Sequence, residues 1–348
     1  MPVLIFSSCK IGREFSRVEQ ADMPAHFQGG KENQQPELSV EDIGWSTLYE
    51  DTVLQNLIDR ALENNKDILI AAARIKEMMA SKRISFASML PEVSMELGGQ
   101  KEMLDYGGEG KKYDPEFRAN MSVGWEVDIW GNLRWQNDAA VAAYMQSVEA
   151  QRALRLTIVA QVAQEYFELR ALDRQLTIVR QTLISRERGV QFAKLRYEGG
   201  LTSEIPYRQS LVELARTETM VPDIENEIKL KENDLAILVG DFPSSFIPRG
   251  QRIDEIDFPA ELPVDLPSSL LRRRPDILQA EQQLVESNAL VGAALTDIFP
   301  KLTLTGRLGA EHEELSNFLK SPTWFISGFL TGPIFNFGKN KARHAAAQ

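Results

Sequence analysis

The sequence predicts an α+β fold, with long antiparallel helical staves joined to amphipathic β-hairpins, and three observations carry that prediction. The first is a stretch from Gly131 to Gly199 with no proline and a single internal glycine, Gly189. Roughly 65 residues at 1.5 Å each make a rod of about 100 Å, several times an average globular helix. The second is a change of period after Pro91, where apolar and polar residues begin to alternate. The third is that the whole pattern starts again near Leu270.

The rod has two apolar stripes. At 100° per residue, Leu154, Ile158, Val162, Tyr166, Leu169, Leu172, Leu176, Val179 and Leu183 share one side. Leu156, Val159, Ala163, Phe167 and Ile178 lie roughly opposite. Two polar strips separate them: Thr157, Gln164, Glu168, Gln175 and Thr182 on one side, Arg155, Asp173 and Arg180 on the other. A two-stranded coiled coil needs one seam. Opposed seams fit a stave in a wall, with a neighbour on each side, although an antiparallel coiled coil also uses long helices.

Composition narrows the function classes. An apolar fraction of 43% supports a core, while no apolar run is long enough for a transmembrane helix. A net charge of −11 argues against a nucleic-acid partner. The one cysteine, Cys9, follows Val3-Leu4-Ile5-Phe6-Ser7-Ser8 and sits in the setting of a bacterial lipoprotein cleavage site. The basic leader of such a signal is missing, as if the chain began late. An incidental thiol is the alternative.

Residues 10 to about 40 read as an extended lead that packs on something else. A helix begins near Trp45, with Leu54, Leu57, Ile58, Ala61 and Leu62 as its apolar face. A second runs from about Lys66 to Leu90, and Pro91 stops it. Val93, Met95 and Leu97 then alternate with charged and polar residues. A Gly- and charge-rich loop follows, from roughly Gly98 to Pro115. Alternation resumes from Phe117 to Val127. This predicts a hairpin of strands about ten residues long, the length a membrane barrel uses; a half-buried soluble hairpin shows the same alternation. The rod ends at Arg196-Tyr197-Glu198-Gly199-Gly200, where Thr202 or Ser203 can cap a return helix. That helix runs to Val239, with Pro206 in its first turn and Pro222 as an expected kink.

From Asp276 to Pro300 the second helix-to-strand spacing equals that from Asp67 to Pro91. Alternation follows over Leu302, Leu304, Gly306 and Leu308, and again near Thr323 to Phe335. Gly338 then matches Gly131. The unit is helix, hairpin, long helix, tip turn and return helix, present at least one and a half times. The short and return helices, about 25 and 37 residues, stack to about 93 Å, the length of a second stave. Four strands cannot close a bilayer-spanning barrel, so closure demands several chains. The predicted organisation is a residual lipoprotein signal (1–9), a first repeat with its lead (10–240), a proline-rich linker (241–267) and an incomplete second repeat (268–348). About a hundred residues of that second repeat are expected beyond Gln348, by the length of the first.

These residues resemble the TolC-like outer-membrane efflux proteins of the lipoprotein (NodT) type. The carrying motifs are Trp125-Glu126-Val127-Asp128-Ile129-Trp130-Gly131-Asn132-Leu133-Arg134 and Leu271-Arg272-Arg273-Arg274-Pro275-Asp276-Ile277. Phe299-Pro300-Lys301-Leu302-Thr303-Leu304-Thr305-Gly306 and Gly332-Pro333-Ile334-Phe335-Asn336-Phe337-Gly338 complete the set. The resemblance implies a homotrimer whose strands form a twelve-stranded outer-membrane β-barrel above a periplasmic helical tunnel. It implies a periplasmic adaptor protein and an inner-membrane pump as partners, lipidation at Cys9, and adaptor docking at the tip, here Arg196, Tyr197, Gly200, Leu201, Thr202 and Ser203. Where the family's tip carries an acidic residue, this chain has Pro206.

No catalytic constellation, cofactor motif or metal-ligand spacing is present: His26, His312 and His344 are scattered. The expected function is a passive export duct driven by partners. The Thr157/Gln164/Glu168/Gln175 strip is expected to face its lumen. The rival readings are a lipid-anchored coiled-coil scaffold without a pore and a secretion channel of the same fold.

Overall fold

The computed structural model describes residues 10–17, 45–105, 111–255, 273–314, 316–317 and 320–348. In chain order they form α1 (Trp45–Leu48), α2 (Thr52–Asn64), α3 (Lys66–Ala87), β1 (Glu92–Asp105), β2 (Lys111–Val127) and α4 (Asn132–Glu198). Then come α5 (Glu204–Leu238), a 3₁₀ turn (Ile253–Glu255), α6 (Pro275–Thr296), β3 (Lys301–His312), β4 (Pro322–Thr331) and α7 (Lys339–Ala347). The rod is a single helix of 67 residues. The repeat is there too: α3 and α6 both have 22 residues, and Gly131 and Gly338 have φ of 86° and 80° at the heads of α4 and α7.

Two compact units divide these elements. One contains residues 74–148 and 277–348 with the N-terminal segment 10–17. Its sheet has the order β1-β2-β3-β4, antiparallel throughout. Below the sheet, Trp135 and Ala139 of α4 bury against Ala289 and Ala293 of α6. The lead packs here, as expected: Ile11 N–H donates to Trp130 O at 3.0 Å, Trp135 Nε1 donates to Ile11 O at 2.8 Å, and Lys10 pairs with Asp138. Asn132 at the start of α4 donates to Ala293 O, Thr296 Oγ1 and Asp297 Oδ1. That fan of bonds locks α4 against the C-terminal turn of α6, whose carbonyls lack helical partners.

The other unit contains residues 45–73 and 149–255 with 273–276. Leu54, Leu57, Ile58 and Ala61 from α2 meet Ile158, Val162, Tyr166 and Leu169 from α4, with Leu235 and Ala236 from α5. Val159 and Ala163 of the second stripe join the same core. Residues of both stripes therefore meet α2 and α5 in one core at this level. Leu156 and Ile178 of the second stripe are about half exposed, at 59% and 49%.

Several boundaries differ from the sequence reading. The first hairpin has strands of 14 and 17 residues, not ten. Gly98–Asp105 and Lys111–Pro115 are paired strand rather than loop. Ladder hydrogen bonds outweigh the poor strand propensity of glycine and charge there, because each buried or paired backbone group must be satisfied. β4 stops at Thr331 and not at Phe335; Gly332 and Pro333 follow, and proline has no N–H to offer a ladder. The helix before the first hairpin ends at Ala87 rather than Leu90. α5 runs through Pro222 as one helix. Cys9 and residues 256–267 of the linker lie outside the described residues.

Candidate functional site

Three surfaces carry the functional residues. The first is the sheet, whose two faces are chemically opposite. On one face the cross-strand rows read Val93–Val123–Gly306–Ile326, Met95–Met121–Leu308–Trp324 and Leu97–Ala119–Ala310–Pro322. These side chains are open: Met95 is 67% exposed, Leu308 63%, Ile326 80%. An exposed apolar surface this continuous marks a membrane or partner contact. From Phe117 to Val127 it spans about 33 Å along the strand at ~3.3 Å per residue. A tilt of ~40° lowers that to about 25 Å, the height of a barrel's apolar band.

The opposite face carries Glu96, Glu116, Arg118, Asn120, Ser122, Thr305, Arg307 and Glu311. Its groups pair with each other: Ser94 with Ser122 at 2.7 Å, Gln100 with Glu116 at 2.8 Å, Arg118 with Glu116 at 3.2 Å, Lys301 with Glu126 at 3.1 Å. Phe325 and Phe329 interrupt it, and Arg307 lies over the Phe325 ring. Polar inside and apolar outside is the alternation of a barrel with a wet lumen. Among the described residues no helix is long and apolar enough to cross a membrane, which says nothing of a β-barrel.

The second surface is the tip. Leu201 N–H donates to Arg196 O and Gly200 N–H to Tyr197 O, both at 2.9 Å. That is a Schellman closure, with Gly200 at φ 70° supplying the left-handed residue. The Tyr197 and Tyr207 rings stack across the turn, 6.2 Å apart and 9° from parallel. Leu201 is 74% exposed. Ser203 occupies the N-cap of α5, yet its side chain makes no capping bond. The third helical position is Pro206, so one of the two N–H groups a serine cap would bind does not exist.

The third surface is the polar strip of α4. Thr157, Gln164 and Gln175 are exposed. Gln164 donates to Glu168 at 3.0 Å, and Lys231 of α5 reaches Glu168 at 2.6 Å and Glu165 at 2.7 Å. The Lys231 and Gln164 hydrogen bonds hold the Glu168 carboxyl below the usual carboxylate range. On the other strip Asp173 is engaged by the Gly250 segment through Arg249, while Arg155 and Arg180 are exposed, Arg180 pairing with Glu225. Arg170 donates to the carbonyls of Gly250 and Gln251, and Arg249 bridges Asp173 and Glu232.

Sequence reading missed the residue that holds this segment. Asp51 is 5% exposed. It caps α2 through Val53 N–H at 2.8 Å, accepts from Tyr166 Oη at 2.6 Å and from Gln251 N–H at 3.2 Å. Burial and the bond to Asp51 push the Tyr166 hydroxyl well above its ordinary pKa, so it stays a donor. An aspartate before an apolar helix signals a cap; nothing local signals its two distant partners.

The sheet's outward apolar face and inward polar face, together with long helices carrying two seams, define a class: membrane-barrel proteins with extended helical walls. The chain belongs to the outer membrane efflux protein family, whose description matches residues 57–241 and 266–348. It is 30% identical over 353 residues to the probable outer membrane lipoprotein SilC of Salmonella typhimurium, covering 99% of this chain and 75% of SilC. With the outer membrane protein OprJ of Pseudomonas aeruginosa the identity is 31% over 362 residues, 99% of this chain and 73% of OprJ. A crystal structure of a membrane protein from Pseudomonas aeruginosa superposes with a TM-score of 0.87 at 27% identity, over 97% of this chain and 77% of that one. The chain is thus an outer-membrane component of an efflux system.

Proposed function

We propose that three copies of this chain form a passive export duct for small molecules, with no chemistry of its own and energy supplied by an inner-membrane pump through a periplasmic adaptor. The sheet carries the reading: among the described residues, four strands with one open apolar face, one polar face and two edges without a partner strand call for further chains. Three sheets give the twelve strands of a closed barrel. In this reading Arg196, Tyr197, Gly200, Leu201, Thr202 and Ser203 form the adaptor-docking tip, and the exposed Leu201 supports it. Thr157, Gln164, Glu168 and Gln175 line the lumen, a reading supported by the exposure of Thr157, Gln164 and Gln175. Cys9 carries the lipid. The repeats divide the chain at 10–240, 241–267 and 268–348.

Planar-bilayer recording on the purified chain tests the duct. Discrete conductance steps are expected. Protein that inserts, by protease protection, yet gives no steps would leave the scaffold reading standing instead.

A further inference from the structure

β4 breaks the chemistry that its neighbours keep on the polar face of the sheet. From Glu92 to Glu102 on β1, from Glu116 to Glu126 on β2 and along β3, every second residue there is polar or glycine. On β4 the same face carries Thr323, Phe325, Ser327, Phe329 and Thr331. Phe325 is 40% exposed and Phe329 63%. Four residues separate them, about 13 Å along the strand at ~3.3 Å per residue. Two open rings alone carry little; the cation beside them carries more.

Arg307 faces Phe325 across the β3–β4 ladder, its guanidinium carbon 4.9 Å from the ring centroid. It is exposed, and among the described residues it makes no hydrogen bond and no ion pair. Glu311, two positions further along the same face, feels its charge without pairing. The neighbouring cations of this face are engaged: Arg118 with Glu116 at 3.2 Å, and Lys301 with Glu126 at 3.1 Å. Thr303 stands opposite Phe329 and Thr305 opposite Ser327, which places hydroxyls beside and between the rings. A chain of net charge −11 thus keeps an unpaired cation, set on a ring, on its polar face.

Each part selects a different feature of a solute. An unpaired guanidinium presents a planar fork that takes a carboxylate or sulfonate in two parallel hydrogen bonds. A phenyl ring takes another ring in an offset or edge-on stack, with centroids about 4.5–7 Å apart. The guanidinium stands at a similar distance from Phe325, so one small aryl acid can reach both. A simple anion would use only the charge and a neutral ring only the stack. An organic cation would be repelled. An aromatic anion uses both parts at once.

We propose that Arg307, Phe325 and Phe329, with the hydroxyls of Thr303, Thr305 and Ser327, form a binding site for aromatic anions on the polar face of the sheet. Aryl carboxylates and aryl sulfonates are the class it takes. The placing of this site in a duct wall rests on the export reading above. The site gives the duct a preference of its own, separate from any selection made by a pump. A protein side chain seated on Arg307 in the assembled barrel would leave such a solute nothing to bind.

Equilibrium dialysis of 2-naphthoate against the purified full chain in detergent tests the site, with empty micelles as the blank and planar-bilayer recording beside it. Saturable binding is expected, and it should be at least about fivefold weaker in Arg307→Gln. Phe325→Leu should weaken it about threefold. Both side chains are exposed, so neither change should unfold the chain. Arg118→Gln removes a paired guanidinium from the same face and should change the affinity less than about twofold. No saturable binding, or binding unchanged in Arg307→Gln, overturns the site, while conductance steps in the same preparation leave the duct standing. Binding that needs Arg307 but ignores Phe325→Leu overturns the aromatic part. Binding that needs both, in a chain that gives no conductance steps, upholds the site and overturns the duct.

Discussion

At the head of α4 the junction is filled, and at the head of α7 the same parts lie open. Trp135 is 2% exposed over Gly292, with Lys10 on its ring and Ile11 O on its indole N–H. Its counterpart Ala342 faces solvent, as does Arg83, the counterpart of Gly292. Phe299 is covered by Trp130, whereas Phe337 meets the neighbouring Phe335 ring and is 90% exposed. The difference is one of supply. A repeat that meets the next repeat along the chain is covered there, whereas the matching parts at the head of α7 are open within the described residues.

The largest test of this contrast is truncation at the two sites. Trp135→Ala should destabilise the chain by about 3–5 kcal/mol, because a buried aromatic leaves a cavity and an unpaired carbonyl. Phe337→Ala, measured in the same unassembled chain by denaturant unfolding, should cost less than about 0.5 kcal/mol. Equal losses would break the comparison.

Overfilling comes next. Gly292→Ala drives a methyl into the Trp135 ring and should cost about 1–3 kcal/mol. Arg83→Ala, at the matching position, should stay within about 0.5 kcal/mol in chemical denaturation. The two helix-head glycines sharpen this further. Both have positive φ, so alanine brings about 1–2 kcal/mol of left-handed strain at either. At Gly131 the new Cβ also meets Lys10 Cγ at 2.8 Å, while at Gly338 nothing lies within 4 Å. Gly131→Ala should therefore lower the melting temperature more.

The smallest effect is a pH dependence that only the filled junction has. Arg17 bonds Glu281 and holds its carboxyl below the usual glutamate range; the matching position in the first repeat is Ala72. A lowered folded pKa contributes stability above the unfolded value and loses it as pH falls through the folded one. The melting temperature should then drop on acidification slightly more in the parent chain than in Glu281→Gln, and salt should shrink the gap.

Much of this was legible beforehand. An uninterrupted run without proline gave the ends of α4 to within a residue, and equal Asp-to-Pro spacings gave the repeat. The strand lengths were hidden because Gly98, Gly99 and Lys101 read as loop, although pairing with Pro115–Arg118 keeps them in the ladder. The Asp51–Tyr166–Gln251 clamp was hidden because its members are far apart in sequence, and no periodicity relates them. By residue type either Thr202 or Ser203 could cap α5; Ser203 takes the position, and Pro206 removes one of the bonds it would make.

As a wall of an outer-membrane channel, the sheet stands in a bilayer with its two faces in different solvents. Cysteines placed at Met121, Ser122, Val123 and Gly124 of β2 test it directly, with a charged, membrane-impermeant thiol reagent applied to outer-membrane vesicles. Ser122→Cys and Gly124→Cys should react quickly and Met121→Cys and Val123→Cys slowly, alternating residue by residue. Uniform reactivity across the four, or the opposite alternation, would contradict a membrane-embedded barrel wall.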